Sequence, residues 1–125
     1  MRYKGTDEMR VITGTARGRV LRTLEGEDVR PTTDRVKEAV FSIIQFEIEG
    51  RRVLDLFAGS GQLGIEVLSR GADSATFVDM SKDSLATVKY NLEHTKLGDR
   101  AKVIQTDALS FLKLTKDRFD IVFID

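Results

Sequence analysis

At 125 residues the chain makes at most one domain, long enough to bury a core. It has no cysteine, which excludes disulfides and thiolate metal sites and suits a reducing compartment. No apolar run approaches a membrane span and no apolar leader opens the chain, so the expected location is the cytoplasm, with no membrane partner. The net charge is zero but unevenly spread: residues 1–22 hold six basic side chains against two acids, and the rest carries the compensating excess of acid. A basic end on an acidic body suits an anionic partner, although a solvated hairpin would read the same way.

Residues 1–8 are polar and aperiodic. Met9–Thr13 and Arg19–Leu24 read as two short strands, joined by a turn with Gly14 and Gly18, which predicts a β-hairpin. Arg17, Arg19 and Arg22 cluster at its tip and on one strand, and arginine forks suit phosphate oxygens. A charged link, Glu25–Arg30, follows. Pro31 is expected to hold the chain extended just before a helix capped by Thr or Asp. Val36, Ala39, Val40, Ile43 and Ile44 recur at helical spacing and predict its inner face, flanked by Phe41 and Phe46, with Glu49-Gly50 ending it.

From Arg52 the pattern alternates strand and helix. Strand Arg52–Leu56 feeds helix Gln62–Ser69, with Leu63, Val67 and Leu68 inward. Strand Ala75–Asp79 precedes a long helix capped by Ser81, with Leu85, Val88 and Leu92 inward and Gly98 ending it. Strand Lys102–Gln105, a short helix Ala108–Lys113 with Leu109 and Leu112 inward, and strand Phe119–Ile124 complete the chain. Such alternation predicts right-handed crossovers and a parallel sheet, an α/β fold of the Rossmann-like kind. His94, the single histidine, reads as a surface residue, and no metal-spaced cluster is visible.

The chemical signal is concentrated around the first of these strands. Gly59, Gly61 and Gly64 form G-x-G-x-x-G between strand and helix, where the backbone can approach a ligand and helix N–H groups point at it. Asp79 ends the next strand about twenty residues on, where nucleotide-binding folds place a ribose-binding acid. Asp55 lies four residues before Gly59. A pyrophosphate would be repelled there, whereas an amine or sulfonium would be favoured, so the pattern points away from a nicotinamide dinucleotide and toward S-adenosylmethionine. Asp55, Asp79, Asp107 and Asp125 stand at or just past the ends of four predicted strands, the edge where open α/β sheets bind ligands. Asp79 suits the ribose hydroxyls, Asp107 an adenine amino group, and Asp55 the amino-acid end. The plain alternative for Asp107 is a helix N-cap.

These residues resemble the bacterial methyltransferases that modify the N2 amine of a guanine in small-subunit ribosomal RNA. The resemblance is carried by Arg10-Val-Ile-Thr-Gly14 with Arg17-Gly-Arg19, by Arg30-Pro-Thr-Thr-Asp-Arg-Val36, and by Asp55-Leu-Phe-Ala-Gly-Ser-Gly61. Leu63-Gly64, Leu68-Ser-Arg-Gly71, Gly98-Asp-Arg100 and Phe119–Asp125 also fit. Gln62 departs from a usual small residue, and Gln105-Thr-Asp107 from a usual glycine before the acid.

The resemblance implies an S-adenosylmethionine-dependent RNA methyltransferase with a parallel sheet and an N-terminal hairpin, organised as a basic arm, 1–30, and a catalytic domain, 31–125. It implies cofactor contacts at Asp55, Phe57, Ala58, Gly59, Ser60, Gly61, Asp79, Met80, Asp107 and Ala108. Asp125 is implied as the catalytic acceptor, and Arg10, Arg17, Arg19, Arg22, Arg30 and Arg35 as grips on ribosomal RNA or the small subunit. Family members continue past the Asp125 position into Pro-Pro-aromatic and further strands, so cofactor affinity with little methyl transfer is expected of these 125 residues. The rival readings are a nicotinamide-dependent oxidoreductase and a non-catalytic RNA-binding fragment.

Overall fold

A computed structural model describes residues 9–24 and 31–125, with the side chains of residues 31–34 left aside. Four parallel strands form one sheet: β1 (Arg52–Asp55), β2 (Ser74–Asp79), β3 (Ala101–Gln105) and β4 (Ile121–Phe123), in the order β3-β2-β1-β4. The register sets Asp55 beside Phe77 on one side and Phe123 on the other. The strand order reverses between β1 and β4, and that switch point opens a crevice at the C-terminal edge of an α/β sheet. The α/β, Rossmann-like expectation is therefore met.

Among the described residues, four helices cover the sheet: α1 (Pro31–Ile44), α2 (Gln62–Ser69), α3 (Lys82–Thr95) and α4 (Ala108–Leu114). The α2 and α3 faces fall as expected, with Val67, Leu68, Leu85, Val88 and Leu92 buried. Ser81 caps α3 by accepting from Ser84 N. Gly64 sits where α2 crosses β2, and a Cβ there would lie 2.3 Å from the Phe77 ring. Its missing side chain therefore sets how closely helix and sheet approach.

Several expectations are corrected. Pro31 is the first residue of α1 rather than an extended residue before it, a place its fixed φ suits. The inner face of α1 carries Phe41 and Lys37, both buried, while Val36, Ala39 and Ile43 are exposed. Phe41 meets Phe123 edge-on at 6.0 Å and holds the Arg70 guanidinium over its ring. In α4 the inward residue is Phe111, and Leu109 and Leu112 are exposed. The α3 helix ends at Lys96 in the left-handed conformation, and Gly98 opens a short 3-10 turn instead.

The arm folds back on itself antiparallel, but through one bridge, Arg10–Val20, rather than two strands. Its Met9, Val11, Ala16 and Leu21 join the main core. The turn docks on the C-terminal end of α2: Thr15 N donates to Ser69 O at 2.8 Å and Ala16 N to Ser69 Oγ at 3.0 Å. Gly14 has φ +94° and a Cβ there would stand 1.8 Å from Ser69 O, so only glycine fits this contact. The carboxylate of Glu66, fully buried, accepts from Ile12 N and Thr13 N and from Arg70 Nε, and pairs with Lys37 Nζ at 3.6 Å. Arm, α1 and α2 thus meet on one charged group. The expected polar segment 1–8 and charged link 25–30 lie outside the described residues.

Candidate functional site

Residues 56–61 carry the chain from β1 into α2. Ala58 N donates to Val78 O and Gly61 N to Ala58 O, which folds the turn tightly over the sheet edge. Gly59 and Gly61 have φ of +57° and +84°, a backbone that side chains resist. Asp79 braces the turn from β2: its Oδ2 accepts from Gly59 N at 3.0 Å and its Oδ1 from Ser81 N at 2.9 Å.

Between this turn, α1 and the end of β4 lies a cleft of about 480 Å³. Asp55, Phe57, Ala58, Gly59 and Ser60 line one side and Asp125 the other, with Val36, Lys37 and Val40 as the α1 wall. Phe57 is half exposed, a large apolar ring left facing solvent. Six of the expected residues are thus brought together. Asp79, held one strand away, reaches the cleft through Gly59. Gly61 is buried behind the turn, Met80 is exposed, and neither lines the cleft; nor do Asp107 and Ala108, beyond β3. Asp107 uses both oxygens to cap α4, taking Ser110 N at 2.8 Å and Ser110 Oγ at 2.7 Å, and these bonds hold its carboxyl below the usual range.

Asp55 is the distinctive group. It is 1% exposed, yet it lines the cleft. Its Oδ2 accepts from Gly64 N at 3.1 Å and so tethers the first turn of α2. No hydrogen bond from the described residues reaches Oδ1. Burial pushes its pKa up to about 7, the Gly64 bond opposes this, and the negative charges of Asp125 and Asp79 add to the rise. The neighbouring ammonium, Lys37 Nζ, is directed at Glu66, Met9 Sδ and Arg10 O. Among the described residues lining the cleft, Lys37 is the one cation, and Glu66 meets its charge. A ligand bearing an ammonium or sulfonium matches this cleft; a pyrophosphate beside the Asp55 and Asp125 carboxylates does not. No group of His, Cys, Asp and Glu among the described residues is arranged to hold a metal ion.

The expected arginines separate. Arg10, Arg17, Arg19 and Arg35 are exposed, and Arg10 Nη1 donates to Gly18 O. Arg22 stacks on Tyr90 of α3, with Cζ 3.6 Å from the ring centre. Arg30 lies outside the described residues. The sequence reading missed the α1 wall and Gln62, which lines the cleft and donates to Ser60 Oγ. A lysine at an apolar register of α1, spaced from the Glu66 it pairs with by a strand and a turn, gives no local signal.

Comparison with known proteins agrees with this geometry. A family model described as "Conserved hypothetical protein 95" matches residues 9–125. The Ribosomal RNA small subunit methyltransferase D of Haemophilus influenzae is 44% identical over 121 residues, 94% of this chain and 63% of its own length. The Escherichia coli protein of the same name is 40% identical over 123 residues, 98% of this chain and 62% of its own length. A solved Escherichia coli structure superposes with a TM-score of 0.83 at 40% identity, covering 94% of this chain and 64% of that one. The chain thus spans less than two thirds of the length of these relatives. With that match across nearly all of its length, the chain belongs to the "Conserved hypothetical protein 95" family, an rRNA methyltransferase family.

Proposed function

We propose that this chain carries the cofactor site of an S-adenosylmethionine-dependent methyltransferase that modifies the N2 amine of a guanine in small-subunit ribosomal RNA. The observation that carries the cofactor reading is the buried Asp55 carboxylate, lining a cleft that Asp125 also lines and in which Glu66 meets the charge of Lys37. The names of the relatives support ribosomal RNA as the substrate. The basic arm and Arg35 are the proposed grips on its backbone.

When bound, S-adenosylmethionine supplies an electrophilic methyl group on a sulfonium. The chain's own groups position and polarise. The glycine turn lets a ligand approach the backbone at Gly59–Gly61, and Asp79 retains lone pairs on both oxygens for ribose hydroxyls while bracing the turn. Asp55 offers its ionised carboxylate to the cationic end. Asp125, at the cleft mouth, accepts an N–H of the guanine amine, which turns the nitrogen lone pair out of conjugation and toward the methyl. The proton the amine sheds passes to that carboxylate or to water. Asp107 caps α4 through both oxygens and keeps a further lone pair on each for an adenine amino group.

Two measurements test the reading. Calorimetry with S-adenosylhomocysteine on this chain should show binding, and NADH should not compete. A version extended to the length of the relatives should transfer radiolabelled methyl to small-subunit RNA, recovered after digestion as N2-methylguanosine. Asp125→Ala in that version should slow transfer about a hundredfold or more with cofactor affinity retained. Label on another nucleoside would refute the guanine assignment, and preference for NADH would refute the cofactor.

A further inference from the structure

On the outer face of α3, away from the cleft, three planar side chains lie together in solvent. The Arg22 guanidinium sits 3.6 Å over the centre of the Tyr90 ring. The His94 ring lies nearly parallel to Tyr90, 11° apart in plane and 5.9 Å between centres. Arg22 and His94 are exposed, and Tyr90 is 40% exposed. The helical spacing of four residues aligns Tyr90 and His94, and the arm supplies the guanidinium from more than sixty residues away in sequence.

This array is built rather than incidental. Asn91, fully buried, fixes the Arg22 backbone from both sides: Arg22 N donates to Asn91 Oδ1 at 2.8 Å, and Asn91 Nδ2 donates to Arg22 O at 2.9 Å. The same Nδ2 donates to Ser60 O in the glycine turn at 3.0 Å. One buried amide therefore holds the stacked arginine and the cleft-lining turn in a fixed relation. Upstream on the same arm, Arg17 and Arg19 are exposed and make no ion pair among the described residues.

We infer that Arg22, Tyr90 and His94 form a stacking platform for an unpaired base of the RNA substrate. The inference rests on the RNA reading above and adds where a single-stranded segment is held. Exposed guanidinium and aromatic planes are what unstacked RNA bases pack on, and the positive charge of the arm complements the adjoining backbone. A strand so held crosses the α3 face while Arg17 and Arg19 take phosphates, with Asn91 setting its distance from the cleft.

The test is RNA binding by this chain, followed by fluorescence anisotropy with a labelled transcript of small-subunit ribosomal RNA across a range of salt. Tyr90→Leu removes the ring and should weaken binding about tenfold while leaving the salt slope unchanged, because stacking is not an ionic contact. Tyr90→Phe keeps the plane and should bind like the wild type. Arg17→Ala with Arg19→Ala should instead flatten the salt slope. A thermal melt of each variant reports folding; if Tyr90→Leu fails to fold, Arg22→Met, which removes the stacked guanidinium plane, takes its place with the same expected loss. Wild-type affinity in folded Tyr90→Leu, or in Arg22→Met, overturns this inference alone. Absence of RNA binding by the wild-type chain overturns the RNA reading with it.

Discussion

Replacing Asp55 by asparagine should stabilise the folded chain at neutral pH while removing its affinity for a cationic ligand. The carboxyl titrates at about 7 in the folded protein against an ordinary 3.8. Between those values the folded state holds a proton that the unfolded state has released. Its contribution is therefore fully present below pH 3.8 and is lost as pH rises to about 7. Each tenfold of proton affinity is worth about 1.4 kcal/mol, so ionising Asp55 in place costs at most about 4 kcal/mol at pH 8. Asparagine carries no charge, and its oxygen still accepts from Gly64 N. A gain of about 2–4 kcal/mol at pH 8 corresponds to roughly 6–15 °C in melting temperature, shrinking to a few degrees at pH 4.5. Thermal melts of both proteins at the two pH values check this, with calorimetry of S-adenosylmethionine beside them. A variant that melts with the wild type at pH 8, or whose advantage is the same at both pH values, would refute the burial argument.

Asp79→Ala removes both the brace on Gly59 and the proposed ribose acceptor, and calorimetry should register S-adenosylhomocysteine affinity reduced about tenfold or more; unchanged affinity in a folded variant counts against the assignment. Gly14→Ala sets a methyl group against Ser69 O and asks alanine to adopt φ +94°. It should lower stability by about 2–4 kcal/mol in urea unfolding and speed proteolysis within the arm, because the turn must lift from α2. Melting like the wild type would mean that the turn does not bear on the core.

The strands and helices α2 and α3 are legible in the sequence because their signals are local. Apolar runs bounded by glycine and aspartate give β1 and β2, the Ser81 cap gives the start of α3, and strict alternation gives a parallel sheet. The α1 face is not legible. Val36, Ala39 and Ile43 follow a good apolar register, but Phe41 and Lys37 are buried instead, because Phe123 and Arg70 meet Phe41 and Glu66 meets Lys37. Those partners come from β4 and from α2 with its C-cap, and a lysine counts as polar in any periodicity. In α4, two turns are too short for a stripe to choose between Phe111 and its leucine neighbours. At the site, the acids were visible as an edge pattern, and the capping alternative for Asp107 was legible because its bonds to Ser110 are local. The brace from Asp79 to Gly59 was not, because that bond joins the end of β2 to the turn after β1, and neither was the pairing of Asp55 with Asp125 along one cleft.

The two buried polar centres explain why a basic arm at the start of the chain bears on a cleft formed fifty residues later. Glu66 is wholly enclosed, and desolvating its charge costs several kcal/mol, which Lys37, Arg70 and two backbone N–H groups offset. An apolar side chain at this position would strand Lys37 and the two backbone N–H groups, so the carboxylate fixes the position of every group that meets on it. What it positions is the arm at Ile12 and Thr13 and, through the Lys37 stem, the α1 wall of the cleft. Asn91 makes the second tie, from the arm at Arg22 to the cleft at Ser60. Two ties at separate points on the arm restrain both its distance from the cleft and its rotation about it. An RNA strand gripped by the arm would therefore meet the cleft at a defined distance and angle. That is the requirement for presenting one amine to one methyl group, since misplacement by about an ångström can cost a hundredfold in rate.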